Sequence, residues 1–248
     1  MSKKTNYSYI GIAFIILVFG IYFVPKIVER IANDDVTRNE DRSYQVNDNN
    51  FASDLQYLII DGKRKKVPEF SFTDQNGKTI TNKDYLGKVY VVEFFFTTCP
   101  TICPRMNSNL VQIQNTFKDF KDFGVASFTI NPSYDTPEVL KAYAERYGIT
   151  NPNWHLMTGD KDSIYNLANK GFPLYVGEND EVPGGFEHSG HFALVDKQGF
   201  IRSRVENGNP LIFYYGVISE DEQVDDEGQT QQITMLKEDI AKLLKEKY

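Results

Sequence analysis

The sequence predicts an α/β domain built around a sheet with parallel strands. Residues 88–96 (KVYVVEFFF) are apolar on both faces and rich in β-forming residues, which is typical of a central strand covered on each side. A helical pattern follows, and residues 124–130 (GVASFTI) form a second buried strand with another helical pattern after it. A strand–helix–strand–helix order places the strands parallel in one sheet.

The two helices of this series have separate sequence signals. The first is predicted from apolar residues at helical spacing, which are Met106, Leu110, Ile113, Phe117 and Phe120. The second is predicted over residues 135–148, with Asp135 or Thr136 as its N-cap. Pro137 falls in its first turn and Gly148 at its end, which are favoured positions for these residues.

Further elements are predicted on either side of this series. Residues 69–80 alternate around a DQNG turn, which predicts a hairpin before the central strand. The later patterns predict a short strand at 154–159, a helix at 160–171, two strands within 191–206 and a C-terminal helix at 230–248.

The N-terminal residues predict a membrane anchor. Residues 7–24 are 18 residues without a charge, and as a helix they would span roughly 27 Å, about the thickness of a bilayer's hydrocarbon core. A cleaved signal peptide is the alternative, but its apolar region would be shorter and a small-residue cleavage site would follow it. We therefore expect a short tail (1–6), an anchor (7–24), a linker (25–66) that becomes ordered near its apolar residues 55–60, and a working domain (67–248). The charges on the two sides of the anchor offset each other and do not decide its orientation. With the tail taken as cytoplasmic, the domain is extracytoplasmic.

The composition limits the classes of function. A hydrophobic content of 41% is ample for a packed core, and a net charge of -7 argues against a nucleic-acid partner, because phosphate backbones attract an excess of Lys and Arg. Two cysteines are too few for a disulfide framework. The pair is therefore an isolated bridge, a redox couple or part of a metal site.

Both cysteines lie in one window, CPTIC, directly after the predicted central strand. That strand delivers Cys99 to the carboxyl edge of the sheet, where open α/β sheets place their sites. Pro104 suits the first position of a helix, so we expect a helix to begin there with Cys103 at or beside the N-cap. The positive end of that helix favours a thiolate, which is the better nucleophile and the better metal ligand.

The spacing of the pair favours a metal over a bridge. Redox pairs of the thioredoxin kind are separated by two residues, whereas Cys99 and Cys103 are separated by three. The wider loop brings two thiolates to one soft ion with less compression than a disulfide requires. Two sulfurs are too few for a closed zinc or iron–sulfur site, so an ion with one additional imidazole ligand fits best. A structural disulfide is the simplest alternative, but so small a loop would stabilise the fold little.

The chain has three histidines, His155, His188 and His191. His155 alternates with apolar residues in a predicted strand, which indicates a structural role. His188 is predicted just before another strand, in a loop that could direct its side chain towards the cysteines, and we take it as the third ligand. His191 falls inside that strand and is interpreted as a strand residue.

Several of these motifs together resemble the Sco/SenC family of membrane-anchored, thioredoxin-like copper proteins. The segments VYVVEFFFTTCPTICPRM, INPSYDTPEVLKAYAERYG, WHLMTG and EHSGHFALVDKQGF occur in the family's order and at about its distances. His188 lies eleven residues before Gly199, as in the family, and His191 does not. The resemblance covers roughly residue 67 to the C-terminal helix.

The resemblance implies a thioredoxin-like fold with a central mixed sheet flanked by helices. It also implies that Cys99, Cys103 and His188 bind one copper ion per chain, as Cu(I) or Cu(II), for delivery to the dinuclear copper centre of cytochrome c oxidase subunit II. The resemblance also implies a second activity, in which the protein reduces a disulfide between the cysteines of that copper centre. The expected partners are therefore subunit II and a thiol reductant of the thioredoxin type, and the expected location is the outer face of a bacterial plasma membrane.

The chain departs from the family pattern near these residues. A residue that is commonly Asp between the cysteines is Thr101 or Ile102 here, the Asp often found before the histidine is Glu187, and another family Asp is Asn131. The first and last changes remove negative charge and leave the ligands intact. They add weight to the alternative function, a thiol-disulfide oxidoreductase in which Cys99 attacks, Cys103 resolves and His188 tunes their pKa values.

Overall fold

The computed structural model describes residue 19 and residues 55–206, 209–211, 213–225 and 228–247. The predicted tail and the predicted anchor at residues 7–24, apart from Phe19, lie outside these residues, as does most of the linker. Within the described part of the chain, no helix is both long enough and apolar enough to cross a bilayer.

The described residues form fourteen strands and four α-helices. The strands are β1 (Leu55–Tyr57), β2 (Ile59–Ile60), β3 (Lys63–Arg64), β4 (Ser71–Asp74), β5 (Thr79–Thr81), β6 (Val89–Phe95), β7 (Phe123–Thr129), β8 (Trp154–Thr158), β9 (Val176–Glu178), β10 (Phe186–His188), β11 (His191–Val195), β12 (Ile201–Glu206), β13 (Asn209–Pro210) and β14 (Tyr214–Tyr215). The helices are α1 (Cys103–Thr116), α2 (Pro137–Tyr147), α3 (Lys161–Asn166) and α4 (Ile233–Lys245). A 3₁₀ turn covers Asn82–Tyr85, and a π-helical turn, Leu167–Gly171, continues α3.

The main sheet is mixed, with the order β1-β12-β11-β6-β7-β8-β4-β5. Strands β6, β7 and β8 are parallel, as the alternating strand and helix patterns predict. The strands beyond them pair antiparallel, β11 with β6 on one side and β4 with β8 on the other. This arrangement confirms the predicted α/β fold with a central mixed sheet flanked by helices.

Strands β6 and β7 are the two middle strands of the main sheet, and every residue of both strands is buried. They pair over seven residues, from Val89 opposite Phe123 to Phe95 opposite Thr129. Helix α1 connects them, and it contacts both α2 and α4. The helix limits follow the sequence signals closely, since Thr136 caps α2 and Gly148 ends it with a left-handed φ of 70°.

The ordered fold begins before residue 67, within the segment that the sequence assigns to the linker. Strand β1 pairs with β12, and Leu55 and Leu58 are each only 3% exposed. The Arg202 guanidinium also donates to the backbone carbonyl of Leu55 over 2.9 Å. Strands β1 and β2 lie at the apolar residues 55–60 (LQYLII), near the end of the linker, where order was expected.

Candidate metal centre

The loop that carries Cys99 is fixed to the ends of both central strands by one carboxylate. Asp135, which is fully buried, accepts a hydrogen bond from the backbone N–H of Thr97 over 3.1 Å and another from the Thr97 hydroxyl. The hydroxyl of Thr129, the last residue of β7, also donates to Asp135. Thr97 lies two residues before Cys99, so this carboxylate determines where the loop leaves the sheet.

This role of Asp135 was missed from the sequence. The segment DTPE is typical of a helix N-terminus, and Asp135 and Thr136 were the two candidates for its N-cap. In the structure Thr136 accepts the hydrogen bond from the third helical residue, Val139, and Asp135 turns the other way, towards the cysteine loop. From the sequence, an Asp that caps a helix cannot be distinguished from one that binds a distant loop. The difference depends on the position of Thr97 in the folded structure.

Cys103 lies in the first turn of α1 and is nearly inaccessible. The helix begins at Cys103, one residue before the predicted start at Pro104, and Ile102 is its N-cap. Cys103 is 1% exposed, whereas Cys99 is 7% exposed, and both are free thiols. The Asn107 side chain donates to the backbone carbonyl of Cys103 over 3.0 Å, which holds the first turn in place.

His188 is the last residue of strand β10 rather than part of the predicted loop. Strands β9 and β10 form a separate two-stranded hairpin, in which His188 lies opposite Val176. The imidazole packs edge-on against Phe96, with ring centroids 6.1 Å apart, and Phe96 also contacts Phe186 of the same hairpin. The next strand, β11, pairs with β6, so the chain after His188 runs beside the strand that leads to the cysteines.

Two glycines let this hairpin approach the cysteine loop closely. A Cβ atom on Gly184 would lie 3.0 Å from the ring of Phe96 and 3.2 Å from Pro100. A Cβ atom on Gly190 would lie 3.0 Å from Val217 and 3.4 Å from Ile102. Because these contacts lie on both sides of His188 in the sequence, they fix its position relative to the two sulfurs.

The three side chains expected to bind a metal meet at one point. One ligand atom from each of Cys99, Cys103 and His188 lies within 4.8 Å of the others. Sγ of Cys103 is 3.0 Å from Nε2 of His188. Three donors around an ion at about 2.3 Å stand roughly 4 Å apart in trigonal geometry, so this arrangement needs only a small adjustment to hold an ion. Two thiolates and an imidazole are a donor set that fits copper.

The two thiols differ in acidity. Hydrogen bonding from the Cys103 side chain, with contributions from His188 and from the backbone amides of Cys103 and Thr101, lowers the pKa of Cys99 to about 3. Burial, reinforced by the negative charge of Cys99, raises the pKa of Cys103 well above that of an ordinary thiol. At neutral pH the pair therefore consists of one thiolate and one thiol.

The other two histidines have local partners. Nδ1 of His155 is 2.9 Å from the carboxylate of Asp74, as expected for a structural residue. Nδ1 of His191 contacts the carbonyl of Ser189, and its ring packs against Tyr215 with centroids 5.4 Å apart. Burial lowers the pKa of His191. Neither histidine contributes a donor to the group of three.

A cavity gives access to two of the three ligands. An open cavity of about 340 Å³ is lined by Cys99 and His188, together with apolar side chains that include Ile102, Val182 and Phe186. Cys103 is not part of this lining and lies beneath. A partner molecule would therefore reach Cys99 and His188 first.

A thioredoxin-like domain with two cysteines from a strand–helix loop and a histidine from a separate hairpin defines a class of soft-metal and thiol-redox proteins. The SCO1/SenC family model matches residues 60–219, more than half of the chain. The chain belongs to this family.

Individual relatives agree with this assignment. The chain is 33% identical over 143 residues to a SCO1 protein homolog of Bacillus subtilis, covering 57% of this chain and 74% of that protein. The crystal structure of a SCO1/SenC family lipoprotein from Bacillus anthracis is 29% identical with a TM-score of 0.60, covering 72% of this chain and 95% of that one. BsSco, described as a Sco-family cytochrome c oxidase assembly protein with a disulfide switch, is 26% identical with a TM-score of 0.59, over 74% of this chain and 95% of that one.

The acidity of Cys99 predicts its reactivity. An ordinary thiol with a pKa of about 8.5 loses about a hundredfold of its thiolate between pH 7.5 and pH 5.5. Because the pKa of Cys99 is lowered, its alkylation by iodoacetamide is expected to change less than threefold over that range, while buried Cys103 reacts last. Mass spectrometry of the alkylated peptides measures both rates. A tenfold loss of Cys99 modification per pH unit would contradict the assignment.

The glycine contacts predict that Gly190→Ala weakens Cu(I) binding. Gly190 and Gly185 both have a positive φ, of 66° and 79°, so alanine at either carries a similar backbone cost of about 1–2 kcal/mol. Only at Gly190 would the new methyl group meet neighbouring atoms, since nothing lies within 4 Å of a Cβ on Gly185. We expect Cu(I) affinity, measured against a competing chelator, to fall about 10–100-fold in Gly190→Ala and to change little in Gly185→Ala. Equal affinities would show that these contacts do not position His188.

Proposed function

We propose that the chain is a copper chaperone that binds one copper ion through Cys99, Cys103 and His188 and delivers it to the dinuclear copper centre of cytochrome c oxidase subunit II. The observation that carries this proposal is the convergence of the three donor atoms within 4.8 Å. The oxidase as destination is supported by the family resemblance and by the description of BsSco as an oxidase assembly protein.

The donor set suits copper in both oxidation states. Cu(I) prefers thiolates and low coordination numbers, and the added imidazole makes the same site acceptable to Cu(II). Binding requires both thiols to be reduced, so a disulfide between Cys99 and Cys103 would prevent loading. Copper transfer is in this way coupled to the redox state of the pair.

The exposure of the ligands suggests an order for copper release. An incoming thiolate from the partner enters through the cavity and first meets copper on the side of Cys99 and His188. It replaces one of these ligands while Cys103, at 1% exposure, still holds the ion. Copper therefore passes from one protein to the other without becoming free in solution.

The location of this activity is part of the proposal. The uncharged residues 7–24 are suited to anchor the chain in a bacterial plasma membrane, with its domain on the outer face. Such an anchor would keep the chaperone in the same membrane as its target.

A second function, thiol-disulfide exchange, is favoured by the difference between the two thiols. The partly accessible Cys99 thiolate can attack a partner disulfide, and Cys103 then attacks the mixed disulfide and releases the partner as a dithiol. The chain leaves with its own disulfide, having supplied two electrons and the proton of Cys103, and the second proton of the partner dithiol comes from solvent. A thioredoxin-type reductant would restore the dithiol, and the cysteines of the oxidase copper site are the expected substrate.

Anaerobic titration of the reduced chain with Cu(I), against a competing chelator, tests the chaperone proposal. We expect one ion per chain, loss of high-affinity binding in Cys99→Ser and Cys103→Ser, and a weakening of at least tenfold in His188→Ala. His155→Ala, a histidine outside the site, is the matched control and should bind as tightly as the unmodified chain. Stoichiometry far below one, or indifference to all three changes, would refute the proposal.

The same His188→Ala variant separates the two functions. Disulfide exchange requires the sulfurs and not the imidazole, so exchange with a model disulfide should continue in this variant at a rate within about tenfold of the original. Exchange that stops completely without His188 would argue against the oxidoreductase function as described.

A further inference from the structure

A buried carboxyl group on the central strand has no place in the site as described so far. Glu93 lies on β6, six residues before Cys99, and is fully buried. Its Oε1 accepts a hydrogen bond from the Ser127 hydroxyl over 2.6 Å. Its Oε2 is buried without a hydrogen-bond partner among the residues that the structure describes. A buried acid that is only half satisfied is costly and calls for a functional explanation.

Buried polar groups connect this side of the sheet with the metal ligand Cys103. Asn107 of α1, also fully buried, donates to the carbonyl of Cys103 and, over 2.9 Å, to the hydroxyl of Tyr143. Oδ1 of Asn107 is a second buried acceptor that lacks a partner within the described ranges. Phe95, two residues after Glu93 and so on the same face of β6, packs against the ring of Tyr143 with centroids 5.4 Å apart. Glu93 therefore lies on the face of the sheet that α2 covers, where Asn107 links Tyr143 to the first turn of α1 and to Cys103.

Two titratable groups face Glu93 from the elements packed against its strand. They are the thiol of Cys103 from α1 and the phenol of Tyr143 from α2. Burial is the largest cause of the raised pKa of each, and the negative charge of Glu93 raises both further. From β7 the facing group is the neutral hydroxyl of Ser127. The carboxyl of Glu93 therefore acts on Cys103 through its charge.

Glu93 can change its charge near neutral pH. Burial raises the pKa of Glu93 to about 7, although the hydrogen bond from Ser127 acts in the opposite direction. A carboxyl of ordinary pKa would be ionised under all physiological conditions and could not respond to its surroundings. Glu93 can therefore bind or release a proton when the charge of the site formed by Cys99, Cys103 and His188 changes by one unit.

We propose that Glu93 is a proton-binding group coupled to the oxidation state of the bound copper, protonated beside Cu(I) and ionised beside Cu(II). This inference rests on the proposed copper site. Two thiolates with Cu(I) carry a net charge of -1, and with Cu(II) they are neutral. The more negative Cu(I) site repels a nearby carboxylate, so the proton stays on Glu93 until the charge is removed.

The coupled step is balanced as one electron and one proton. Cu(I) becomes Cu(II) by giving one electron to an external one-electron acceptor, such as a ferric cyanide complex. The O–H bond of Glu93 breaks, and its proton goes to solvent. No other bond needs to form or break. The Cu(II)/Cu(I) potential of this protein therefore depends on pH even though its three ligands stay in place.

The fluorescence of Trp154, the only tryptophan of the chain, is expected to follow the protonation of Glu93 through one intervening hydroxyl group. The indole N–H of Trp154 donates over 2.9 Å to the Ser127 hydroxyl, which in turn donates to Glu93. In the metal-free, reduced full chain, Trp154 fluorescence should show a transition between about pH 6 and pH 8. It should be absent in Glu93→Gln and present in Glu138→Gln, which changes an exposed glutamate on α2. A transition that persists in Glu93→Gln would overturn the proposal.

The decisive test is the potential of bound copper against pH, with ferricyanide and ferrocyanide as redox partners. One proton per electron gives a tenfold change per pH unit, or about 59 mV, as the limit, and the potential should fall as the pH rises through the neutral range with a slope that approaches this limit. Glu93→Gln should remove the slope, and Glu138→Gln should keep it. A flat profile in the unmodified chain with one copper bound would reject this inference and leave the chaperone function standing. Absence of bound copper would instead reject both.

A second variant guards against misfolding of Glu93→Gln. Ser127→Ala keeps the carboxyl and removes the donor that stabilises its ionised form, so the pH range of the sloping region should move upward. The infrared carbonyl band of the protonated carboxyl gives the same answer without a mutation, since it should be stronger with Cu(I) than with Cu(II). An unchanged pH range in Ser127→Ala, or an infrared band that ignores the copper oxidation state, would contradict the proposal.

Discussion

The position of the metal site depends on the parallel pairing of β6 with β7 and on the buried carboxylate of Asp135 that joins their ends. Seven consecutive residue pairs fix the register of the two strands. Asp135 then binds Thr97 after one strand and Thr129 at the end of the other. The cysteine loop starts from this rigid edge, so the sulfur of Cys99 is held by the centre of the domain rather than by a mobile segment.

The ligands of the site come from two structural units, the main sheet with α1 and a separate hairpin. The sulfurs come from the sheet and α1, whereas His188 comes from the β9–β10 hairpin, which has its own small sheet. Close glycine contacts and the packing of His188 against Phe96 connect the two units. A metal ion between them would connect them further, so copper binding is expected to order the hairpin as well as the ligands. One thiolate that lines the cavity, one thiol buried beneath it and one imidazole on a separate hairpin can serve either copper transfer or thiol exchange.

Much of this arrangement was predictable from the sequence because its signals are local. The apolar run around β6, the Pro and Gly at the ends of α2 and the two cysteines in one window each carry their own physical reason, and they placed the central strands and Cys99 and Cys103 correctly. His188 was predicted as a ligand through its place before β11, although its hairpin was not. Order was expected near the end of the linker, at residues 55–60, but the pairing of β1 with β12, about 150 residues away, could not be predicted from the sequence. Asp135 and Glu93 were not predicted as parts of the site, because their roles depend on neighbours that are distant in sequence. A charged residue in the middle of the run VVEFFF is nevertheless a signal that could have drawn attention to Glu93.

The central claim is that two sulfurs and one imidazole of a single chain share one copper ion. X-ray absorption spectroscopy of the copper-loaded chain at the copper edge measures this ligand set directly. The structure predicts two sulfur neighbours at about 2.3 Å and one nitrogen neighbour at about 2.0 Å, with the nitrogen lost in His188→Ala. A shell of sulfur alone that is the same with and without His188, or a second copper atom nearby, would contradict the account.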